Sequence, residues 1–298
     1  MLNIFVQRVP DETGKGKFIR RLTTASVPLG VNYTTNPKGC VALLDVGWWH
    51  GPKKDIPRVI RMDGAEDYNQ ALMKNAVDTA DAVIWQNNYC REYLGRTYNI
   101  KGKKKEFVIC NGANPDDYKD TLKLFPGFNV IISGKWSKVV KDEGGKIVYA
   151  ERENKRLGLM LDVASRVVTK NDDICFWVAG HTTLKPPVHE RIKILGNVPD
   201  DLLSRYIAGS DVMLNLGKKD WCPNSVVECL VAEKPVIYSE DGGGIVELVG
   251  DCGFAVKDFG EDLIAELIRK KEEIYRPDLH IEFIASEYKK VFEEISKK

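Results

Sequence analysis

Short apolar, β-branched runs alternate with amphipathic stretches along all 298 residues of the chain. The apolar runs predict strands at residues 2–6, 40–45, 57–61, 81–85, 106–109, 128–132, 174–179, 190–194, 211–216, 234–238 and 253–256. Helical spacing predicts helices at residues 16–27, 67–79, 88–96, 154–169, 200–208, 224–232, 244–248, 259–274 and 280–297. Strands that alternate with helices across short links predict parallel sheets covered on both faces, an α/β fold.

So many strands are unusual for a single sheet, and the alternation pauses between residues 112 and 127. We therefore predict two Rossmann-like domains with a cleft between them and a boundary near residue 124. The first domain covers residues 1–124 and the second covers residues 125–279. The last helix, within residues 280–298, carries a single apolar stripe, so we expect it to cross back to the first domain.

Residues 137–152 do not fit the alternation of strands and helices. Two apolar pairs, Val139-Val140 and Ile147-Val148, flank a stretch that contains Gly144 and Gly145. This pattern predicts a β-hairpin inserted at the surface of the second domain.

Composition narrows the class of protein. A formal net charge of +1 gives no overall field that would attract nucleic acid. Seven scattered cysteines without a C-x-x-C pair indicate reduced thiols, and we expect a cytoplasmic protein. No apolar run approaches the roughly 18 residues that cross a bilayer, so any membrane contact is expected to be peripheral.

Two carboxylates, Asp220 and Glu228, lie eight residues apart in the segment DWCPNSVVE. Pro223 favours the start of a helix, which places Asp220 in a loop and Glu228 on the helix. Free backbone N–H groups in the first turn of this helix predict an anion site, at Asn224, Ser225 and Val226. Considered alone, Glu228 is equally well interpreted as a solvated helix residue.

A glycine run at residues 242–244 opens the next short helix, and its backbone N–H groups are further candidates for ligand contact. With this run the resemblance becomes specific. Residues 220–249 resemble the donor-binding region of retaining glycosyltransferases of family four, the glycosyl transferases group 1. That family shows an acidic residue, seven others, Glu, a PV-I strand and the motif GG-x-x-E-L-V. The resemblance extends from about residue 57 to 256.

The resemblance implies the two-domain GT-B fold and roles for several residues. Glu228 would accept hydrogen bonds from ribose hydroxyls, and Asp220 would hold hydroxyls of the transferred sugar. Asn197 and Val198 would contact the nucleobase, largely through the main chain. The family usually has Glu at the first acidic position, so the Asp at 220 leaves the donor sugar open.

Positive charge is expected near the donor diphosphate. Gly134-Lys135 and Lys155 resemble the family's G-R and K-G-x-x-x-L motifs, with Lys135 in place of Arg. These cations would stabilise the charge that develops on the leaving diphosphate. From spacing alone, the preferred interpretation of both lysines is that they are ordinary surface residues, and it is the family resemblance that favours a functional role.

No Asp-x-Asp motif occurs, and the four histidines do not cluster in metal-ligand spacing. We therefore expect transfer without a metal and without a cofactor besides the donor.

The first domain is expected to bind the acceptor. Gly14 lies in a loop that resembles the family's glycine-containing loop facing the diphosphate, although a plain turn is the alternative. Arg61 and Asp63 end a strand in a V-x-R-x-D-G pattern, where open α/β sheets bind ligands. They are candidates for the reaction centre, and a structural Arg–Asp pair is the alternative.

The expected function is therefore a retaining hexosyl- or pentosyltransferase. It would move a sugar from a UDP-, GDP- or other nucleotide-sugar donor to a hydroxyl of a glycan or glycolipid. Two alternatives stay open: an epimerase or hydrolase of the same fold, and a non-catalytic subunit that binds nucleotide sugars.

Overall fold

The computed structural model describes residues 1–6, 14–46, 56–63, 70–97, 105–141 and 145–297. The strands are β1 (Leu2–Val6), β2 (Val31–Thr34), β3 (Ala42–Val46), β4 (Arg58–Met62), β5 (Ala82–Trp85), β6 (Lys105–Val108), β7 (Phe128–Ser133), β8 (Ser137–Lys141), β9 (Ile147–Glu151), β10 (Ile174–Ala179), β11 (Ile192–Gly196), β12 (Val212–Asn215), β13 (Val236–Ser239) and β14 (Gly253–Val256). The α-helices are α1 (Gly14–Ser26), α2 (Gln70–Thr79), α3 (Asn88–Thr97), α4 (Leu157–Lys170), α5 (Asp200–Gly209), α6 (Asn224–Val231), α7 (Gly244–Val249), α8 (Glu261–Arg269) and α9 (Ile281–Ser296).

The chain divides into two compact units. The first contains Met1–Asn114 and Pro277–Lys298, and its parallel sheet has the strand order β2-β1-β3-β4-β5-β6. The second contains Pro115–Arg276, and its parallel sheet has the order β11-β10-β7-β12-β13-β14. Both sheets place almost completely buried strands at their centre, β3 and β4 in the first and β7 and β12 in the second, which confirms the predicted pair of Rossmann-like folds.

The division falls after Asn114, before the predicted boundary near residue 124. The intervening segment packs on the second unit: Leu122 donates its backbone N–H to the carbonyl of Arg205 at 3.3 Å. The chain returns to the first unit at Pro277, where Ala113 donates its N–H to the carbonyl of Leu279 at 3.0 Å. Backbone hydrogen bonds therefore set the boundary between the units, and the amino-acid composition of the segment gives no sign of them.

Three elements differ from the sequence prediction. The edge strand β2 was not predicted, because its sequence VNYT has too few apolar residues to stand out. Helix α8 ends at Arg269 instead of 274, since the charged run at residues 270–273 carries no apolar stripe. Helix α4 begins at Leu157 instead of 154, because Glu153–Lys155 forms a 3₁₀ turn and Arg156 has φ of 50°.

The predicted hairpin is confirmed. Strands β8 and β9 pair antiparallel as a separate two-stranded sheet, with Val139 opposite Tyr149. Its base is anchored to the loop after β10: Glu151 accepts hydrogen bonds from the hydroxyls of Thr182 at 3.1 Å and Thr183 at 2.8 Å. The hairpin therefore has a fixed base between β7 and the turn that precedes α4.

Helix α9 packs against α1 and completes the core of the first unit, which confirms the predicted crossover helix. Tyr288 and Phe292 are fully buried on its inner face, and the ring of Tyr288 lies 5.9 Å from that of Phe18. No helix in the part of the chain that the structure describes is long and apolar enough to cross a membrane.

We predict that Phe292→Ala lowers the free energy of unfolding by about 3–5 kcal/mol, because it leaves a cavity in a closed core. The matched control is Phe283→Ala on the same helix, where the side chain is 47% exposed. That control is expected to change stability by only about 0.5 kcal/mol. Urea unfolding of both variants checks the prediction, and equal losses would show that α9 is not fixed to the first unit.

Candidate functional site

In the second unit, the structure brings Lys155 and Asp220 together. Lys155 ends the 3₁₀ turn before α4, and Asp220 lies in the loop between β12 and α6. The Nζ of Lys155 donates a hydrogen bond to Oδ2 of Asp220, and their side chains are only 18% and 8% exposed. The interpretation of Lys155 as an ordinary surface lysine is therefore wrong.

The backbone on both sides of Asp220 is held by the glycine run. Asp220 donates its N–H to the carbonyl of Gly242 at 2.9 Å, and Gly244 donates its N–H to the carbonyl of Asp220 at 2.7 Å. Gly243 between them has φ of 73° and ψ of −122°, a conformation that favours glycine. The carboxylate is oriented as well, because its Oδ1 accepts the N–H of Trp221 at 2.9 Å.

The prediction that the glycine run presents its N–H groups to a ligand needs correction. Gly244 donates to Asp220, and Gly242 donates to the carbonyl of Ser239 at 2.9 Å. These groups are already used within the protein. The run therefore positions Asp220, which the sequence could not show because the pairing joins segments more than twenty residues apart.

The turn that carries Lys155 is fixed from two directions. Lys218 donates its N–H to the carbonyl of Asn154 at 2.7 Å. Arg156 makes a bidentate contact with Asp241, at 2.9 and 2.7 Å. Partial burial tends to raise the pKa of Asp241, yet the hydrogen bonds from Arg156 and Ser239 outweigh it and hold that pKa below its usual value. Sequence reasoning missed the Arg156–Asp241 pair, since no local motif marks it.

Helix α6 follows Asp220 and carries Glu228, which is only 3% exposed. Its interpretation as a solvated helix residue is therefore wrong. Asn224 and Ser225 are half-buried in the first turn. Val226 was also predicted to offer a free N–H group to an anion. This prediction needs correction, because Val226 donates its N–H to the carbonyl of Pro223 at 3.0 Å.

The other predicted residues of this unit lie in loops after parallel strands. Gly134 and the exposed Lys135 follow β7, where a Cβ on Gly134 would meet the buried ring of Trp136 at 2.8 Å. In the described part of the chain, Lys135 takes part in no ion pair, so the structure does not join it to Lys155. Asn197 is exposed and Val198 half-buried in the turn between β11 and α5.

In the first unit, Arg61 and Asp63 form a buried ion pair at the end of β4, with side chains 1% and 6% exposed. Arg61 also donates to Oδ1 of Asn111, and its guanidinium lies 3.9 Å above the ring of Phe18. Gln86 donates from Nε2 to Oδ1 of Asp63 at 2.8 Å. Three strands thus deliver polar groups to one edge of the sheet, as the predicted crevice requires.

The second carboxylate oxygen of Asp63, Oδ2, is buried and accepts no hydrogen bond from any residue that the structure describes. Tyr288 of α9 lies beside this pair; burial raises its pKa, and the charge of Arg61 opposes the rise only in part. Sequence reasoning placed neither Gln86 nor Tyr288 at this site. A polar residue just past a strand was the available signal for Gln86.

Gly14 is the first residue of α1. The rest of its predicted loop, residues 11–13, and Gly64 of the strand-end motif lie outside the described residues. Within the ranges that the structure covers, no group of three or more His, Cys, Asp or Glu side chains is placed to hold a metal ion.

The model of the family described as "Glycosyl transferases group 1" matches residues 145–271, which include Lys155, Asp220 and Glu228. This match covers less than half of the chain. The search of curated proteins found no match.

Several solved structures are similar over the whole length. A sucrose-phosphate synthase from Thermosynechococcus elongatus has a TM-score of 0.71 at 12% identity, with 99% of each chain covered. A glycosyltransferase from Rickettsia africae ESF-5 has a TM-score of 0.70 at 13% identity, covering 100% of this chain and 99% of that one. The chain has the GT-B fold. An Anabaena GT-B protein, Alr3699/HepE in complex with UDP and glucose, is also similar, with a TM-score of 0.62 at 13% identity over 99% of this chain and 95% of that one.

We predict that Gly243→Ala strains the backbone by about 1–3 kcal/mol and loosens the loop that holds Asp220. The matched control is Gly250→Ala at the other end of α7, since Gly250 has φ of 52° and ψ of −128°. Both variants should lose similar stability. Hydrogen exchange of residues 218–222 should accelerate in Gly243→Ala alone, and equal exchange in the two variants would contradict the positioning role.

Proposed function

We propose that the chain transfers a sugar from a nucleotide-diphosphate sugar to an acceptor hydroxyl, with retention at the anomeric carbon and without a metal ion. The observation that carries this proposal is the shielded Lys155–Asp220 pair, followed by buried Glu228 on α6. The family match to this same segment supports a glycosyltransferase. UDP and glucose in the similar HepE structure support a nucleotide-sugar donor.

Each residue has a distinct task in this proposal. Lys155 stabilises the negative charge that develops on the leaving diphosphate, and a cation about 4 Å from a phosphate oxygen contributes about 4 kcal/mol at an effective dielectric constant near 20. Asp220 accepts hydrogen bonds from hydroxyls of the transferred sugar. Glu228 accepts hydrogen bonds from the ribose hydroxyls.

The remaining donor contacts come from loops and one helix end. The first turn of α6, at Asn224 and Ser225, offers the positive end of a helix to a phosphate. Lys135 supplies further positive charge, and Gly134, which has no side chain, lets the donor come close to the main chain. The main chain of Asn197 and Val198 receives the base, and Gly14 at the start of α1 in the first unit stays a candidate ligand of the donor.

Retention follows if the acceptor hydroxyl attacks from the face that the diphosphate leaves, with the departing phosphate taking the proton. No dedicated protein base is then needed. The positive charge of Lys155 takes the place that a divalent metal would have in neutralising the diphosphate. An NMR assignment of the anomeric centre in donor and product tests retention directly.

Asp63 is proposed to bind the acceptor. Its Oδ1 is occupied by Arg61 and Gln86, whereas the buried Oδ2 accepts no hydrogen bond from the described residues. A buried carboxylate oxygen without a donor is costly, and an acceptor hydroxyl would satisfy it. Arg61 fixes the orientation of this carboxylate through their ion pair.

We predict that UDP-, GDP- or another nucleotide sugar raises the melting temperature in the presence of EDTA, because a ligand that binds only the native state stabilises it. Glu228→Gln should abolish the rise. The matched control is Glu233→Gln just beyond α6, where Glu233 is exposed and the response should be unchanged.

Four results would contradict the proposal. If no nucleotide sugar stabilises the protein, the donor site is wrong, and if stabilisation requires Mn²⁺, the metal-free mechanism is wrong. Rapid consumption of the donor without an acceptor would instead indicate an epimerase or hydrolase. Binding of a nucleotide sugar without sugar transfer to any acceptor would indicate a non-catalytic subunit.

We predict that Asp63→Asn lowers kcat/KM for the acceptor sugar by about 10- to 100-fold, since a hydrogen bond to a charged group is worth about 1.5–3 kcal/mol. Donor binding should stay unchanged. The matched control is Asp45→Asn, a buried carboxylate paired with Arg58 at 2.6 Å in the same sheet. That variant should lose stability yet keep acceptor kinetics at a temperature where it is folded. Equal kinetic losses would indicate that Asp63 has only a structural role.

A further inference from the structure

The charge of Lys155 is balanced within the protein by a neighbouring carboxylate. Its ammonium donates to Asp220, and the pair is shielded, with side chains 18% and 8% exposed. Both oxygens of the carboxylate are engaged, one by Lys155 and the other by the N–H of Trp221 at 2.9 Å. The backbone pairing with Gly242 and Gly244 prevents the loop from moving the carboxylate away.

An anion that approaches Lys155 must therefore approach Asp220 as well. A nucleotide sugar brings hydroxyl donors, which can bind the carboxylate and offset the repulsion between like charges. A bare nucleoside diphosphate lacks the hydroxyls of the transferred sugar, and its ribose hydroxyls are assigned to Glu228 in the proposed function. Its terminal phosphate also gains an ionisable oxygen where the sugar was attached, so its negative charge is greater.

We propose that Asp220 makes this site discriminate against bare nucleoside diphosphates, because its carboxylate neutralises Lys155 unless sugar hydroxyls engage it. This inference rests on the proposed function. It assigns to Asp220 a specificity role in addition to holding the sugar. After transfer, the loss of the sugar restores the repulsion, which promotes release of the diphosphate product.

The test is a double-mutant cycle on the full chain, with Asp220→Asn, Lys155→Met and the double variant. Isothermal titration calorimetry measures the Kd of UDP, GDP, ADP and inorganic pyrophosphate. Asp220→Asn should tighten binding of at least one nucleoside diphosphate and of pyrophosphate by tenfold or more. The double variant should bind these anions no more tightly than Lys155→Met.

Two comparisons complete the design. Glu240→Gln removes one negative charge from the neighbouring loop, where Glu240 pairs with exposed Lys257 at 2.9 Å, and should change these Kd values less than threefold. UDP-glucose, GDP-mannose and ADP-glucose should bind Asp220→Asn no more tightly than the unmodified chain. If Asp220→Asn fails to fold in a melting experiment, Asp220→Ser replaces it, since Ser also offers an acceptor to Trp221.

The inference is overturned if Asp220→Asn binds these anions equally or more weakly, or if the gain is the same in the Lys155→Met background. Its failure is distinguishable from failure of the proposed function. Stabilisation by a nucleotide sugar without a gain in anion affinity retains the function and rejects the inference. A Lys155-dependent gain for pyrophosphate, with no nucleotide sugar bound, retains the anion discrimination and rejects the transferase.

Discussion

The ion pair between Lys155 and Asp220, together with the backbone hydrogen bonds of Asp220, joins three stretches of the second unit that are distant in sequence. One is the turn that ends the hairpin insertion, another is the loop after β12, and the third is the glycine run before α7. The loop after β12 and the glycine run after β13 adjoin strands of the parallel sheet, whereas the turn follows β9 of the separate hairpin. Because Asn154 accepts the N–H of Lys218 at 2.7 Å, the first two would remain joined even when the ion pair opens. Opening of the ion pair would therefore expose the two charges without a movement of the backbone.

The first unit contains a pair of the same charge type with a different environment. Arg61 and Asp63 are almost fully enclosed, and Arg61 is held by Asn111 and the ring of Phe18 as well. A guanidinium with so many fixed contacts is suited to orienting a neighbour, whereas the flexible ammonium of Lys155 can exchange partners. Burial and the number of fixed contacts thus separate the enclosed Arg61 from the partly exposed Lys155.

Mostly apolar sequence made the central strands predictable, as in β12 with the sequence VMLN, whose four residues are all buried. The edge strand β2 escaped prediction because half of its residues are polar, and it depends on pairing with β1. In the candidate site, the residue types and spacing of Asp220 and Glu228 singled out a segment that the family match also covers. The use of each backbone group was not predictable, as Val226 and Gly244 show, because N–H partners depend on loop geometry.

The short acidic side chain at position 220 makes the placement of the carboxylate depend on the loop that carries it. Asp is one methylene shorter than the Glu that the resemblance leads one to expect, and its Oδ1 is bound to the N–H of the next residue, Trp221. A carboxylate tethered so close to the backbone cannot extend toward a ligand, so the ligand must come to it. Since Gly242 and Gly244 hold that backbone from both sides, the position of the carboxylate is set by hydrogen bonds of the main chain. The choice of sugar hydroxyl would then depend on the glycine loop as much as on Asp220 itself.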